Sequence, residues 1–331
     1  MKIIHFISST TYGGIEQHVH ELGMNQKKNN EVIIICTHIM KPFFENDFKV
    51  FSTKNFSRNN LFQILKLLLV IRKFDADIIH THGSKTTSIF LKLRIFINIV
   101  HVATLHNIKK NMVPYNKSKY VIAVSDGITK GLKTKYSVIS NWIYFNYESP
   151  AFVIEKKNHA IAVGRFEIAK GFDLLIKSWV NIKRDLYIFG SGSQENFLKE
   201  LIEELNLQNK VYIKKPLPHE DLLREYVKAK VLIISSRNEG GPRVALEALA
   251  LGTPVLSTDV GHMNAIFPKE FLAQPDNLNS LKTFIEKHVD AIDDINQQSI
   301  FEYVREEFDL RNQAKKIMSV YEDLCKTKFI K

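Results

Sequence analysis

Two glutamates eight positions apart, Glu239 and Glu247, lie in the stretch "EGGPRVALEALALGTPV", the second within an apolar helix-like segment. An ionised carboxylate among Val, Ala and Leu side chains costs several kcal/mol unless something hydrogen-bonds to it. Glu247 therefore reads as a residue held in place for chemistry. A carboxylate at helix depth can accept two hydrogen bonds from a vicinal diol, as an acidic residue holds a ribose in dinucleotide folds. Glu239 stands just beyond the apolar run "VLIISS", after Arg237 and Asn238, and precedes Gly240, Gly241 and Pro242. From that place it could hold the hydroxyls of a second ring. Upstream, "GRFEIAKGFDLL" sets Arg165 and Lys170 around another strand-to-helix turn. Two cations beside helix amides are what a diphosphate needs. Ribose, diphosphate and sugar together make a nucleotide-sugar. A further loop, "STTYGGIEQHV", puts Gly13 and Gly14 where a strand becomes a helix, so backbone could approach an anionic ligand. No third glycine follows at the spacing of the dinucleotide fingerprint.

Other pairs imitate metal sites. "DADIIHTH" contains Asp75 and Asp77, then His80 and His82. The aspartates precede a strand-like run and read as its solvated entrance. The histidines leave that strand at its carboxyl end, and His82 is assigned to acceptor contact rather than to metal. His18 and His20 lie two apart on a helix, where they do not share a face, and read as structural.

These residues need elements to position them. Short apolar runs alternate with amphipathic segments along the whole chain. "KIIHFIS", "EVIIICT", "DIIHTH", "VHVATLH", "YVIAVS" and "YSVISNW" read as strands of a first half. "HAIAVGR", "LYIFGSG", "KVYIKK", "VLIISS", "TPVLST" and "EFLA" read as strands of a second. Such alternation predicts parallel sheets covered on both faces, hence an α/β protein with two Rossmann-like domains. The expected boundary falls at Ser149 and Pro150, with domains over residues 1–149 and 150–311. The final amphipathic helix, about residues 312–331, is free to cross back to the first domain. Ligands of parallel sheets sit beyond the carboxyl ends of the strands, so the site is expected where the domains face each other.

At 331 residues the chain has room for two ordinary domains. Its two cysteines, Cys36 and Cys325, make no disulfide framework and are expected to be reduced. "ILKLLLVI" and "FLKLRIFINIVHV" are each interrupted by a cation and fall short of the roughly 18–20 apolar residues of a spanning helix. The net charge of +11 is uneven: residues 1–150 hold 20 Lys+Arg against 9 Asp+Glu, and residues 151–331 hold 26 of each. The basic half is expected to meet something anionic, either lipid head groups or a phosphate-bearing substrate. No signature of nucleic-acid binding accompanies it. Lysine-rich codon usage would give the same balance without a partner.

With these residues in order, the chain resembles the retaining glycosyltransferases of family 4, which have the GT-B fold. The likeness is strongest over residues 160–266 and rests on the Glu239–Glu247 pair preceded by "GRF…KG". It implies that Glu247 holds the nucleotide ribose, Glu239 the donor sugar, and Arg165 with Lys170 the diphosphate. Gly240 and Gly241 join the donor site. "GGIE" matches the family's glycine loop and brings in Gly13 and Gly14. "ATLHN" matches its strand-end histidine, placing His106 beside the bond being broken. The first domain would face the acceptor. Lys215 and Ser191 stand where a glycine and an aspartate are common, so a UDP-linked donor is the expectation and other bases stay open. Asn141–Trp142 replaces the family's "NG" ahead of the link.

The expected function is transfer of a sugar, with retention and without metal or other cofactor, from nucleotide-sugar to a glycan or glycolipid acceptor. A lipid-linked glycan or lipopolysaccharide core of a bacterial envelope is the acceptor expected, on the anionic inner face of the cytoplasmic membrane. Three alternatives stay open: another GT-B enzyme such as an epimerase, a glycosyltransferase with a small soluble acceptor, and a silent partner subunit. The last fits poorly with an intact set of Arg165, Lys170, Glu239 and Glu247.

Overall fold

A computed structural model describes residues 1–144 and 157–327. The chain forms two compact units, residues 1–141 with 310–331, and residues 142–309. The boundary expected at Ser149–Pro150 lies outside the described residues.

The first unit has seven strands: β1 (Lys2–Phe6), β2 (Glu31–Thr37), β3 (Lys49–Thr53), β4 (Ile78–His82), β5 (Val100–Leu105), β6 (Tyr120–Ala123) and β7 (Tyr136–Val138). They pair in parallel in the order β3-β2-β1-β4-β5-β6-β7. The central strands are buried on both faces, which is why they read as unbroken apolar runs. Strand β3 is absent from the sequence reading. "KVFST" is a half-exposed edge strand of mixed polarity, and only its register with β2 gives it away.

Helices α1 (Gly14–Gln26), α2 (Leu61–Phe74), α3 (Ser84–Leu93), α4 (Val113–Asn116) and, late in the chain, α12 (Leu310–Lys326) cover this sheet. The Asn60 side chain caps α2 by accepting from the Gln63 amide at 3.1 Å. Ile64, Leu67, Leu68 and Ile71 of α2 then close the core over Ile4, Phe6 and Ile79. Helix α12 packs beside α1 and β5 and buries Tyr321.

The second unit has six parallel strands, β8 (His159–Val163), β9 (Asp185–Phe189), β10 (Val211–Lys214), β11 (Val231–Ile234), β12 (Val255–Thr258) and β13 (Leu272–Ala273), in the order β10-β9-β8-β11-β12-β13. Around them run α5 (Phe172–Ser178), α6 (Glu195–Glu204), α7 (His219–Lys228), α8 (Arg243–Ala250), α9 (Met263–Ile266), α10 (Leu278–His288) and α11 (Gln298–Glu307). Both sheets reverse direction of growth next to their first strand. That switch point is where doubly wound sheets bind ligands, beyond the strand carboxyl ends. No helix among the described residues is long and apolar enough to cross a membrane.

Candidate functional site

In the second unit, the loops after β8 and β11 bring Lys170 and Glu239 together. Lys170 Nζ donates to Glu239 Oε1, and both side chains are largely buried, at 20% and 12% exposure. Ser236 Oγ donates to the same carboxylate oxygen at 2.9 Å. The Lys170 carbonyl in turn accepts from Ser235 Oγ at 3.0 Å. This close approach depends on Gly171, at φ +65°, where an added Cβ would stand 2.2 Å from the Ser235 carbonyl oxygen. Arg165 lies apart from this pair. Its guanidinium is 71% exposed and meets Glu167 at 2.6 Å.

A residue the sequence reading overlooked holds the two loops in register. Arg237 makes two parallel bonds to the Asp173 carboxylate, at 2.6 and 2.7 Å, and further bonds to Asp276 Oδ1 at 2.6 Å and the Ile168 carbonyl at 2.9 Å. Burial pushes the Asp173 carboxyl up, but the Arg237 bonds and charge outweigh it and leave Asp173 below the ordinary value. The signal available in sequence was an arginine just past a strand-like run and two residues before Glu239.

Glu247 lies inside α8 at 5% exposure, among Ala245, Leu246, Ala248 and Leu249. Two residues of α7 reach its carboxylate. Tyr226 Oη donates to Oε2 at 3.4 Å, and His219 Nε2 is 3.3 Å from Oε1. Both bonds are long, and His219 is 41% exposed, so the carboxylate is approached from solvent on the His219 side. Burial, with the charge and hydrogen bond of Glu247 added, drives the Tyr226 phenol well above its ordinary range. Gly240 and Gly241 run just ahead of α8. Gly261, at φ +60°, packs under them, and a Cβ there would stand 2.8 Å from the Gly241 Cα.

In the first unit, histidines gather at the carboxyl ends of β1, β4 and β5. The Gln26 carbonyl Oε1 lies 2.7 Å from His5 Nε2, His5 Nδ1 lies 3.0 Å from His82 Nε2, and His82 Nδ1 lies 3.2 Å from His106 Nε2. A carbonyl oxygen only accepts, so His5 donates from Nε2. With neutral rings, His82 then donates to His5, and His106 to His82. Burial holds His5 near pKa 4. Burial first, then the neighbouring imidazoles, hold His80 and His82 well below the usual 6.5. His80 sits beside this line, 2.5 Å from Tyr321 Oη and 2.5 Å from Thr104 Oγ1. His18, read as structural from its spacing, packs its ring edge-on to His106 at 4.8 Å, whereas His20 turns away to Asp47 at 2.8 Å. Ring nitrogens of His5, His80 and His82, and of His18, His82 and His106, lie within 4.8 Å of one another, a donor set that suits a divalent zinc-like ion.

Gly13 and Gly14 open α1. A side chain at Gly14 would meet nothing within 4 Å, so the protein's own packing does not require that glycine. The buried Glu16 accepts from Ser9 Oγ and closes the same loop. Asp75 and Asp77 are exposed at the amino end of β4, the opposite end from His82, and Asp77 Oδ2 accepts the Lys2 amide at 2.8 Å.

Comparison with known proteins agrees with this division. Residues 12–144 match the model of Glycosyltransferase Family 4, and residues 147–295 match Glycosyl transferases group 1. An uncharacterized glycosyltransferase of Methanocaldococcus jannaschii is 26% identical over 299 residues, 82% of this chain and 83% of the relative. The Anabaena protein HepE, solved in complex with UDP-glucose, superposes with a TM-score of 0.81 at 17% identity, covering 98% of this chain and all of that one. The lipopolysaccharide outer core galactosyltransferase WaaB superposes with a TM-score of 0.75 at 18% identity, covering 96% and 98%. The two structures share the fold with this chain.

Proposed function

We propose that this chain, a glycosyltransferase of the GT-B type, moves a sugar from a UDP-linked donor to a lipid-linked glycan or lipopolysaccharide-core acceptor with retention of configuration. The observation that carries the reading is Glu247, a carboxylate buried in an apolar helix and held, among the described residues, by long bonds from Tyr226 and His219. A ribose diol would supply the short bonds that it lacks. Lys170, already paired with Glu239, would neutralise the departing diphosphate, and Glu239 would hold hydroxyls of the donor sugar. Arg165 would swing from Glu167 to join Lys170. His106 would stand beside the anomeric carbon and His82 on the acceptor side. Positioning and charge stabilisation of the leaving group would supply most of the rate, with the acceptor attacking from the face the diphosphate leaves. HepE was solved with UDP-glucose and WaaB carries a lipopolysaccharide name, which supports this donor and acceptor class. The basic first half supports an anionic membrane surface as partner, at the inner face of a bacterial cytoplasmic membrane.

A panel of nucleotide-sugars read by thermal shift tests the donor. A ligand at 100 times its Kd stabilises by about 2.7 kcal/mol, so UDP and one UDP-sugar should raise Tm while purine nucleotides do not. No shift with any nucleotide would overturn the donor reading. Transfer, followed by NMR of the anomeric proton, should continue in EDTA. Loss on chelation, restored by a divalent ion, would return the histidine cluster to consideration as a metal site.

A further inference from the structure

The outer face of α2 runs against the rule for a surface helix. Its inner stripe closes the core, yet Phe62, Leu65 and Leu69 stand outward at 77%, 48% and 65% exposure. Their spacing of three and four residues puts them in one line along the helix, where polar residues belong. The line continues past the helix. Arg72, one turn after Leu69, donates to the Phe96 carbonyl at 3.0 Å and so fastens the turn Arg94–Phe96 to the end of α2. Ile95 and Phe96 of that turn are 77% and 53% exposed. Lys92 bonds the Arg58 carbonyl at 2.5 Å and Asn59 Oδ1 at 3.1 Å, drawing the loop before α2 to the same edge.

Charge decides what covers this face. Residues 48–125 hold 13 Lys+Arg and two acids, Asp75 and Asp77. None of Arg58, Lys66, Arg72, Lys73, Lys92 and Arg94 forms an ion pair with a described residue. A second copy of the chain seated on this face would bring cations against cations. A bilayer with anionic head groups instead takes apolar side chains into its boundary and neutralises the cations around them. We infer that α2 and the turn Arg94–Phe96 form a docking face for an anionic lipid surface. The inference rests on the lipid-acceptor reading for its purpose, and on the exposed stripe and its cations for its placement. It shares Lys92 and Arg94 with the basic run that continues through Lys109, Lys110, Lys117 and Lys119, and centres the contact on α2.

Co-sedimentation of the purified chain with vesicles of phosphatidylcholine containing roughly 30% phosphatidylglycerol tests it. Binding should require the anionic lipid and weaken as salt rises from about 0.05 to 0.5 M. The variant Phe62→Ser/Leu65→Ser/Leu69→Ser should lose about tenfold or more in vesicle affinity. Its far-UV spectrum and UDP-induced thermal shift should stay as in the parent, since the replaced side chains face outward. Lys109→Glu/Lys110→Glu/Lys117→Glu/Lys119→Glu should lose less than the serine variant. Wild-type protein left in the supernatant, equal binding to neutral vesicles, or undiminished binding by the serine variant would each overturn the docking face. Transfer to a detergent-dispersed acceptor, with no vesicles present, reads the enzymatic proposal separately. If transfer fails while the serine variant loses vesicle binding, the face stands and the acceptor reading falls.

Discussion

Glu247 keeps a buried carboxylate with long bonds from Tyr226 and His219 and one side towards solvent. Glu247 was legible because an acid in "VALEALAL" breaks a pattern, but its partners Tyr226 and His219 lie 21 and 28 residues upstream on another helix. Nothing in the spacing pairs them. The same holds for His80 and Tyr321, 241 residues apart. If Glu247 holds a ribose, Glu247→Ala should lose charge-assisted bonds worth about 1.5–3 kcal/mol, roughly 10- to 100-fold in UDP affinity by calorimetry. The fold should persist, because alanine suits α8. Lys170 permits a sharper test, since the part of the donor it is proposed to touch is the diphosphate and not the nucleoside. Lys170→Ala should weaken UDP by a similar factor and leave uridine unchanged. Equal losses for the two ligands would move Lys170 out of the diphosphate site and into a purely structural pairing with Glu239.

At the scale of elements, strands were legible wherever both faces are buried, and β3 escaped because an edge strand needs no continuous apolar run. The glycine loops were legible as turns but not in what each glycine does. Gly261 and Gly14 separate the two uses. An alanine at Gly261 meets the Gly241 backbone at 2.8 Å in a left-handed conformation, and Gly261→Ala should cost at least about 1–2 kcal/mol from backbone strain alone. The loop displaced is Gly240–Gly241, so Tm and UDP affinity should fall together. Gly14→Ala meets no protein atom within 4 Å and should leave Tm unchanged. Kinetics altered by Gly14→Ala at constant Tm would show that a ligand comes close to that backbone. Arg237 could be noticed in sequence, but its partners could not, because Asp173 and Asp276 come from segments 64 and 39 residues away.

For the molecule as a whole, two doubly wound sheets were readable from alternation, and the last helix, with no strand after it, read as crossing back to the first domain; that it packs on α1 and β5 was not readable. The buried histidines give the whole chain an acid limit. His5, near pKa 4, stays neutral in the fold while the unfolded chain takes up protons below about 6.5. A depressed histidine therefore stabilises fully above that range and withdraws stability as pH falls towards 4. His5 alone withdraws about 2 kcal/mol at pH 5. His80 and His82 add in the same direction, and so does His262, near pKa 4 in the second unit. Chemical denaturation should show stability level from pH 7 to 8 and falling steeply below 6; a flat profile to pH 5 would mean that these rings are already charged or solvated. The late helix α12 has a consequence in time. Residues 1–141 leave the ribosome first, yet the unit they build includes Leu310–Lys326 and the Tyr321 hydroxyl beside His80. The second unit, one uninterrupted segment, can close while the first still waits. A released chain ending at Asp309 should thus resist protease over 157–309 and remain cleavable in its older half, an order of maturation opposite to the order of synthesis.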